Sequence, residues 1–110
     1  MSRYHVKITV VNCAEPTDIF KNEQPLMPDG QHYKKCNAFK PGDEFVSERG
    51  RRPDNFCEWA WFDIYKDLQV LRFGGSFYPW IEDGSMYTCC TDGVRPVTFK
   101  LERITESKKF

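Results

Sequence analysis

Five cysteines, Cys13, Cys36, Cys57, Cys89 and Cys90, are the residues best equipped for chemistry in this chain. A thiolate is both a nucleophile and a soft metal ligand, and positive potential around the sulfur favours it. Asn55 is a residue type suited to cap a helix, and Glu58 follows it three positions on, as in a capping box. A helix starting there puts Cys57 in its first turn, where unpaired N–H groups and the positive end of the macrodipole favour an anion. Cys57 is therefore the candidate nucleophile or lead ligand, and Asp63 is the second candidate catalytic residue. Cys36, Cys57, Cys89 and Cys90 form the candidate metal set, with zinc or iron as the transition metal such thiols would take. The chain has no Cys-x-x-Cys pair, and neighbours on a strand point to opposite faces, so one of Cys89 and Cys90 would join the set unless a bulge intervenes. Trp59, Trp61 and Trp80 are candidate walls of a ligand pocket, and Arg95 completes the ligand-binding set.

The elements that must position these residues follow from periodicity. Residues 3–11 alternate, with Tyr4, Val6, Ile8 and Val10 on one face, and predict a strand. Residues 12–35 carry Pro16, Pro25, Pro28 and Asp29-Gly30 and predict a long loop with one helical turn near 17–22. A loop of that length is either a functional lid or a surface insertion. Residues 39–46 read as a turn feeding a short strand, and Arg49, Arg51 and Arg52 surround Gly50 in a basic knot that could hold a phosphate or carboxylate but is better explained as a solvated loop. Over residues 54–73, Trp61, Ile64, Leu68 and Leu71 form one apolar stripe that Gly74-Gly75 ends, which predicts the principal helix. Residues 86–104 predict a hairpin with Asp92-Gly93 at its tip, pairing Thr88 with Val97. That register puts Met86, Thr88, Cys90, Val97, Phe99 and Leu101 on the core face, with Tyr87 and Cys89 on the other.

Composition bounds what these elements can do. The chain has 110 residues, which is one domain over 1–110. Hydrophobic residues make up 40% and aromatics 15%, enough for a compact core. Sixteen Lys and Arg balance sixteen Asp and Glu, so the basic excess of a nucleic-acid binder is missing. No apolar run is long enough to span a bilayer, and the first residues alternate rather than form a signal-peptide core. The expectation is a cytoplasmic protein with free thiols, and the odd cysteine count agrees. The Ser-His-acid, P-loop, Rossmann and His-Glu-x-x-His patterns do not occur.

Four motifs in order carry a resemblance: Cys36-x-x-Phe39-Lys40-x-Gly42-Asp43-Glu44-Phe45, Phe56-Cys57-x-Trp59-Ala60-Trp61, Leu71-x-Phe73-Gly74-Gly75, and Cys89-Cys90-Thr91-Asp92-Gly93-x-Arg95-Pro96-Val97. Together they resemble a family of small uncharacterised repeat proteins of bacteria, archaea and fungi, in which the domain occurs singly or in tandem. The resemblance implies that Cys36, Cys57 and the 89–90 pair are family cysteines, whereas Cys13 has no counterpart. This chain has Asn37 where the family has proline, and one residue more before Pro79-Trp80.

The expected fold is α+β, a small mixed or antiparallel sheet packed on one long helix. The expected function is a thiol-centred site that binds a small molecule or metal, with Cys57 as nucleophile or ligand. The alternative is a non-enzymatic protein-interaction module acting through residues 77–80. The expected partner is accordingly a small molecule or a protein, a second copy of the chain included, and neither nucleic acid nor membrane.

Overall fold

A computed structural model describes residues 3–104. Four strands form one antiparallel sheet in the order β2-β1-β4-β3: β1 is Val6–Cys13, β2 Glu44–Ser47, β3 Ser85–Cys89 and β4 Val97–Arg103. The fold is α+β, and the sheet is wholly antiparallel. Two helices accompany it, α1 over Pro16–Phe20 and the 15-residue α2 over Glu58–Arg72. Alternation decides the sheet's faces. Val6, Ile8 and Val10 of β1 and Val97, Phe99 and Leu101 of β4 are buried, while Lys7, Glu44, Glu102 and Lys100 on the opposite face form solvent-facing ion pairs. The apolar stripe of α2, Ala60, Ile64, Leu68 and Leu71, closes over the buried face. Trp61 is half-buried at the edge of that stripe. The rings of Phe39, Phe45, Phe56 and Phe99 fill one end of the core, with centroids 5.0–5.9 Å apart.

Three local features differ from the sequence expectation. First, β1 bulges between Val10 and Asn12: Val10 pairs with Phe99 and Cys13 with Val97, so three steps on β1 match two on β4. The extra residue turns Cys13 onto the core face, which simple alternation would have assigned to Asn12. Second, α2 begins later than a cap at Asn55 requires. Asn55 adopts φ 63°, a left-handed conformation, and Cys57 itself is the N-cap, with its carbonyl accepting from the N–H of Trp61 at 2.9 Å. Third, the β3–β4 register is displaced by two residues, with Thr88 opposite Phe99 and Cys89 opposite Thr98. A shift of two preserves faces, so Met86 and Cys90 are buried and Tyr87 and Cys89 exposed, as alternation required. The connection is then residues 90–96 rather than a two-residue turn. Asp92 folds it by accepting the N–H groups of Val94 (3.0 Å) and Arg95 (3.2 Å) on Oδ1. The tail from Glu106, expected to fray, lies outside the described residues.

The segment between β1 and β2 is not structureless. After α1, Leu26 and His32 form an isolated antiparallel bridge around a turn at Asp29-Gly30, where Gly30 takes φ 88° and Asp29 accepts the N–H of Gln31 at 3.0 Å. Further on, Asp43 accepts the N–H of Lys40 at 2.9 Å and donates its own N–H to the Lys40 carbonyl, a tight turn that starts β2.

Candidate functional site

The stretch 31–40, with Glu15 and Met27, lines a cleft of about 750 Å³ to which the loop 90–96 contributes Arg95. That volume falls within the range of small-molecule sites. Met27, Tyr33 and the buried Phe39 give it apolar wall, and Cys36 borders it. Lys34, Lys35, Lys40 and Arg95 supply positive charge, and Glu15 the one carboxylate of the lining. Arg95 ties the two loops together: its Nη1 donates to the Lys34 carbonyl at 3.3 Å while its Nε lies 3.5 Å from Asp92 Oδ2.

The cysteines take separate roles. Cys36 is half-buried at the cleft and packs against the core. Cys13 and Cys90 are buried on either side of Val97: Cys13 pairs with it across the sheet, and the Val97 N–H donates to Cys90 Sγ at 3.2 Å. Cys13 donates its thiol to the Phe39 carbonyl at 3.4 Å. Burial pushes the Cys13 thiol pKa up, with neighbouring Cys36 adding to the rise and Lys35 opposing it. Burial likewise raises Cys90, against the lowering effect of the Val97 N–H. Cys57 sits at the N-cap of α2, and Cys89 is exposed on the outer face of β3. Among the described residues no three of His, Cys, Asp and Glu are grouped so as to hold a metal ion. Cys36, Cys57, Cys89 and Cys90 are not brought together as one such group: Cys89 is exposed on the outer face of β3, Cys90 is buried on the core side and Cys57 stands at the start of α2.

The raised thiols give a pH prediction. Both sulfurs ionise less readily folded than unfolded, so the stability tied to their burial is fully present below the ordinary thiol pKa of 9.0. It falls as pH climbs above that value, since the unfolded chain then sheds protons that the folded chain retains. The urea midpoint is expected to drop between about pH 8 and pH 10. The drop should be shallower in the Cys13→Ala/Cys90→Ala variant, and an unchanged slope there would show that these thiols do not carry it.

Asp63, the second candidate catalytic residue, is engaged by Thr91 and does not line the cleft. Its carboxylate accepts the Thr91 N–H at 2.7 Å and the Thr91 hydroxyl at 3.0 and 3.1 Å, pinning the loop 90–96 to α2. Asp63→Ala should cost roughly 1–2 kcal/mol, the worth of a charge-assisted hydrogen bond at a half-exposed position. It should also speed amide hydrogen exchange at Thr91, and Asp63→Asn should recover part of both effects.

Of the expected ligand-binding set, Arg95 lines the cleft and the tryptophans do not. Trp59 and Trp80 are 70% and 72% exposed, and Trp61 packs edge-on against Phe56 and Tyr65. The basic knot is divided as well. Arg51 and Arg52 border a smaller cleft of about 360 Å³ that also contains Glu48 and Asp54, and Arg52 is engaged by the Phe56 carbonyl and by Glu58 at 3.5 Å. The lysines at 34, 35 and 40 were not singled out from sequence, although two of them stand directly before Cys36. No helix among the described residues is long and apolar enough to cross a membrane. No protein-family model, curated protein or solved structure matches the chain.

Proposed function

We infer that this chain is a small-molecule-binding domain whose ligand occupies the cleft between residues 31–40 and Arg95, with the Cys36 thiol in its wall. The observation that carries this reading is the cleft itself. It is of ligand size, it joins apolar and polar lining, and its two sides are tied by the Arg95–Lys34 hydrogen bond. The thiol of interest is then Cys36 rather than Cys57. A fragment library screened by 1H–15N NMR tests it. Fragments that bind should shift amides of residues 31–40 and Arg95 as one cluster. A screen in which no fragment moves those amides would remove the reading.

A second reading rests on Tyr78 and Trp80, which are 73% and 72% exposed while Phe77 is anchored on the core. A turn holds the segment, with the Trp80 and Ile81 N–H groups donating to the Phe77 carbonyl. Here the chain is a non-enzymatic interaction module that presents two rings to a protein partner. A second copy of the chain is the partner that can be tested at once: sedimentation would show association that Trp80→Ser removes. A monomer at all concentrations would dismiss that partner.

A further inference from the structure

The chain as a whole has a formal net charge of +0, but the cleft does not share that balance. The lining holds four cations, Lys34, Lys35, Lys40 and Arg95, and one carboxylate, Glu15; Arg95 is paired with Asp92 at its edge, so the three lysines carry the excess. Among the described residues, Lys34, Lys35 and Lys40 form no ion pair with any carboxylate. Other cations among the described residues do have carboxylate partners: Lys7 with Glu44 and Glu102, Arg52 with Glu58, Lys66 with Asp67, Arg103 with Asp83. Like charges gathered around a concave surface repel one another, and the concave wall focuses their field toward the space between them. Arg95 is held in place by a hydrogen bond to the Lys34 carbonyl and an ion pair with Asp92, which leave other N–H donors of its five for a ligand. Behind these groups, Met27, Tyr33 and Phe39 offer apolar contact.

We propose that the ligand of this cleft is a small organic anion, its charge met by Lys34, Lys35, Lys40 and Arg95 and its apolar body laid against Met27, Tyr33 and Phe39. The proposal rests on the reading of the cleft as a small-molecule site and adds the chemical class.

Two dyes with the same ring system test the two statements separately: 8-anilino-1-naphthalenesulfonate, which is anionic, and N-phenyl-1-naphthylamine, which lacks the sulfonate. The readout is protection of Cys36 from N-ethylmaleimide, measured by peptide mass spectrometry, with exposed Cys89 on the outer face of the sheet as internal reference. The anionic dye should protect Cys36 and spare Cys89. It should do so at a concentration about tenfold or more below that of the neutral dye, the difference one charge-assisted contact provides. That preference should shrink toward one in the Lys34→Gln/Lys35→Gln/Lys40→Gln variant, whose three side chains are exposed and not needed for packing. It should also shrink as salt rises from roughly 0.05 to 0.5 M, where the screening length shortens several-fold. Equal protection by both dyes would overturn the anion class and leave the cleft standing as a small-molecule site. Protection by neither would overturn the cleft reading, and the anion proposal with it.

Discussion

Phe56→Ala should be the most damaging single truncation in this protein, lowering stability by about 3–5 kcal/mol. Phe56 is 1% exposed and touches four rings: Phe39 and Phe45 at 5.0 Å, Phe99 at 5.6 Å and Trp61 at 6.3 Å between centroids. Its neighbours come from three directions: the turn before β2, the sheet, and the first turn of α2. They cannot all collapse into the space an alanine leaves, so the lost transfer energy and the cavity add. A domain of this size holds only about 5–15 kcal/mol in total, so the variant would keep a small margin at best. With a urea m-value of about 1–3 kcal/mol/M the midpoint should fall on the order of 2 M, while Phe56→Leu should cost well under half as much. A loss below ~1 kcal/mol would mean that the four-ring cluster is not packed as described. The consequence reaches the cleft, because Phe39 is at once a wall of the cleft and a ring of this cluster.

The parts of the fold that were legible in the sequence are those set by local period. Val6, Ile8 and Val10, then Val97, Phe99 and Leu101, announce two core-facing strands, and Ile64, Leu68 and Leu71 announce the helix face. The β3–β4 register was misplaced, yet its faces survived, because a period of two is blind to a shift of two. What alternation cannot see is a bulge: the extra residue near Val11 exchanges Asn12 for Cys13 at the core, and nothing in those residue types announces it. The start of α2 shows a second limit. Asn55 and Glu58 match a capping box, but the Phe56 N–H is taken by the Pro53 carbonyl at 3.2 Å, and that turn places Asn55 outside the helix.

The cleft was illegible for a related reason. Arg95 reaches the carbonyl of Lys34 across 61 positions, and Asp63 reaches Thr91 across 28. Such contacts are fixed by how loops are tethered, not by a repeat along the chain. The same tethering brings Cys36 near Cys13 and Cys90 but leaves Cys57 and Cys89 on other elements. Cys36 follows the loop, Cys90 follows the core face of the sheet, Cys89 the opposite face, and Cys57 the start of α2. Residue type singled out Cys36, but only the packing of two loops puts it in a cleft with Lys34, Lys35, Lys40 and Arg95.

Arg103→Ala should produce the second-largest loss, about 2–4 kcal/mol. Its side chain is 12% exposed at the end of β4 and lies beneath the C-terminus of α2. Nη1 donates to the Leu71 carbonyl at 3.2 Å and the Gly75 carbonyl at 2.7 Å, and the guanidinium stacks 5.1 Å over the Tyr4 ring. These carbonyls belong to the last turn of the helix and the residues just beyond, where no further turn supplies N–H donors and the macrodipole is negative. Truncation would strip two acceptors of a partly buried cation and leave the helix end held to the sheet by packing and by the Tyr4 N–H, which donates to the Arg72 carbonyl at 2.9 Å. Arg103→Lys should recover less than half, since one ammonium cannot span both carbonyls and also present a flat face to the ring. Asp83 offers the contrasting case. It lies 3.5 Å from Nη2 but is 67% exposed, so Asp83→Asn should cost no more than about 0.5 kcal/mol. If Asp83→Asn proved as costly as Arg103→Ala, the surface ion pair rather than the helix terminus would be the element that locks α2 onto the sheet.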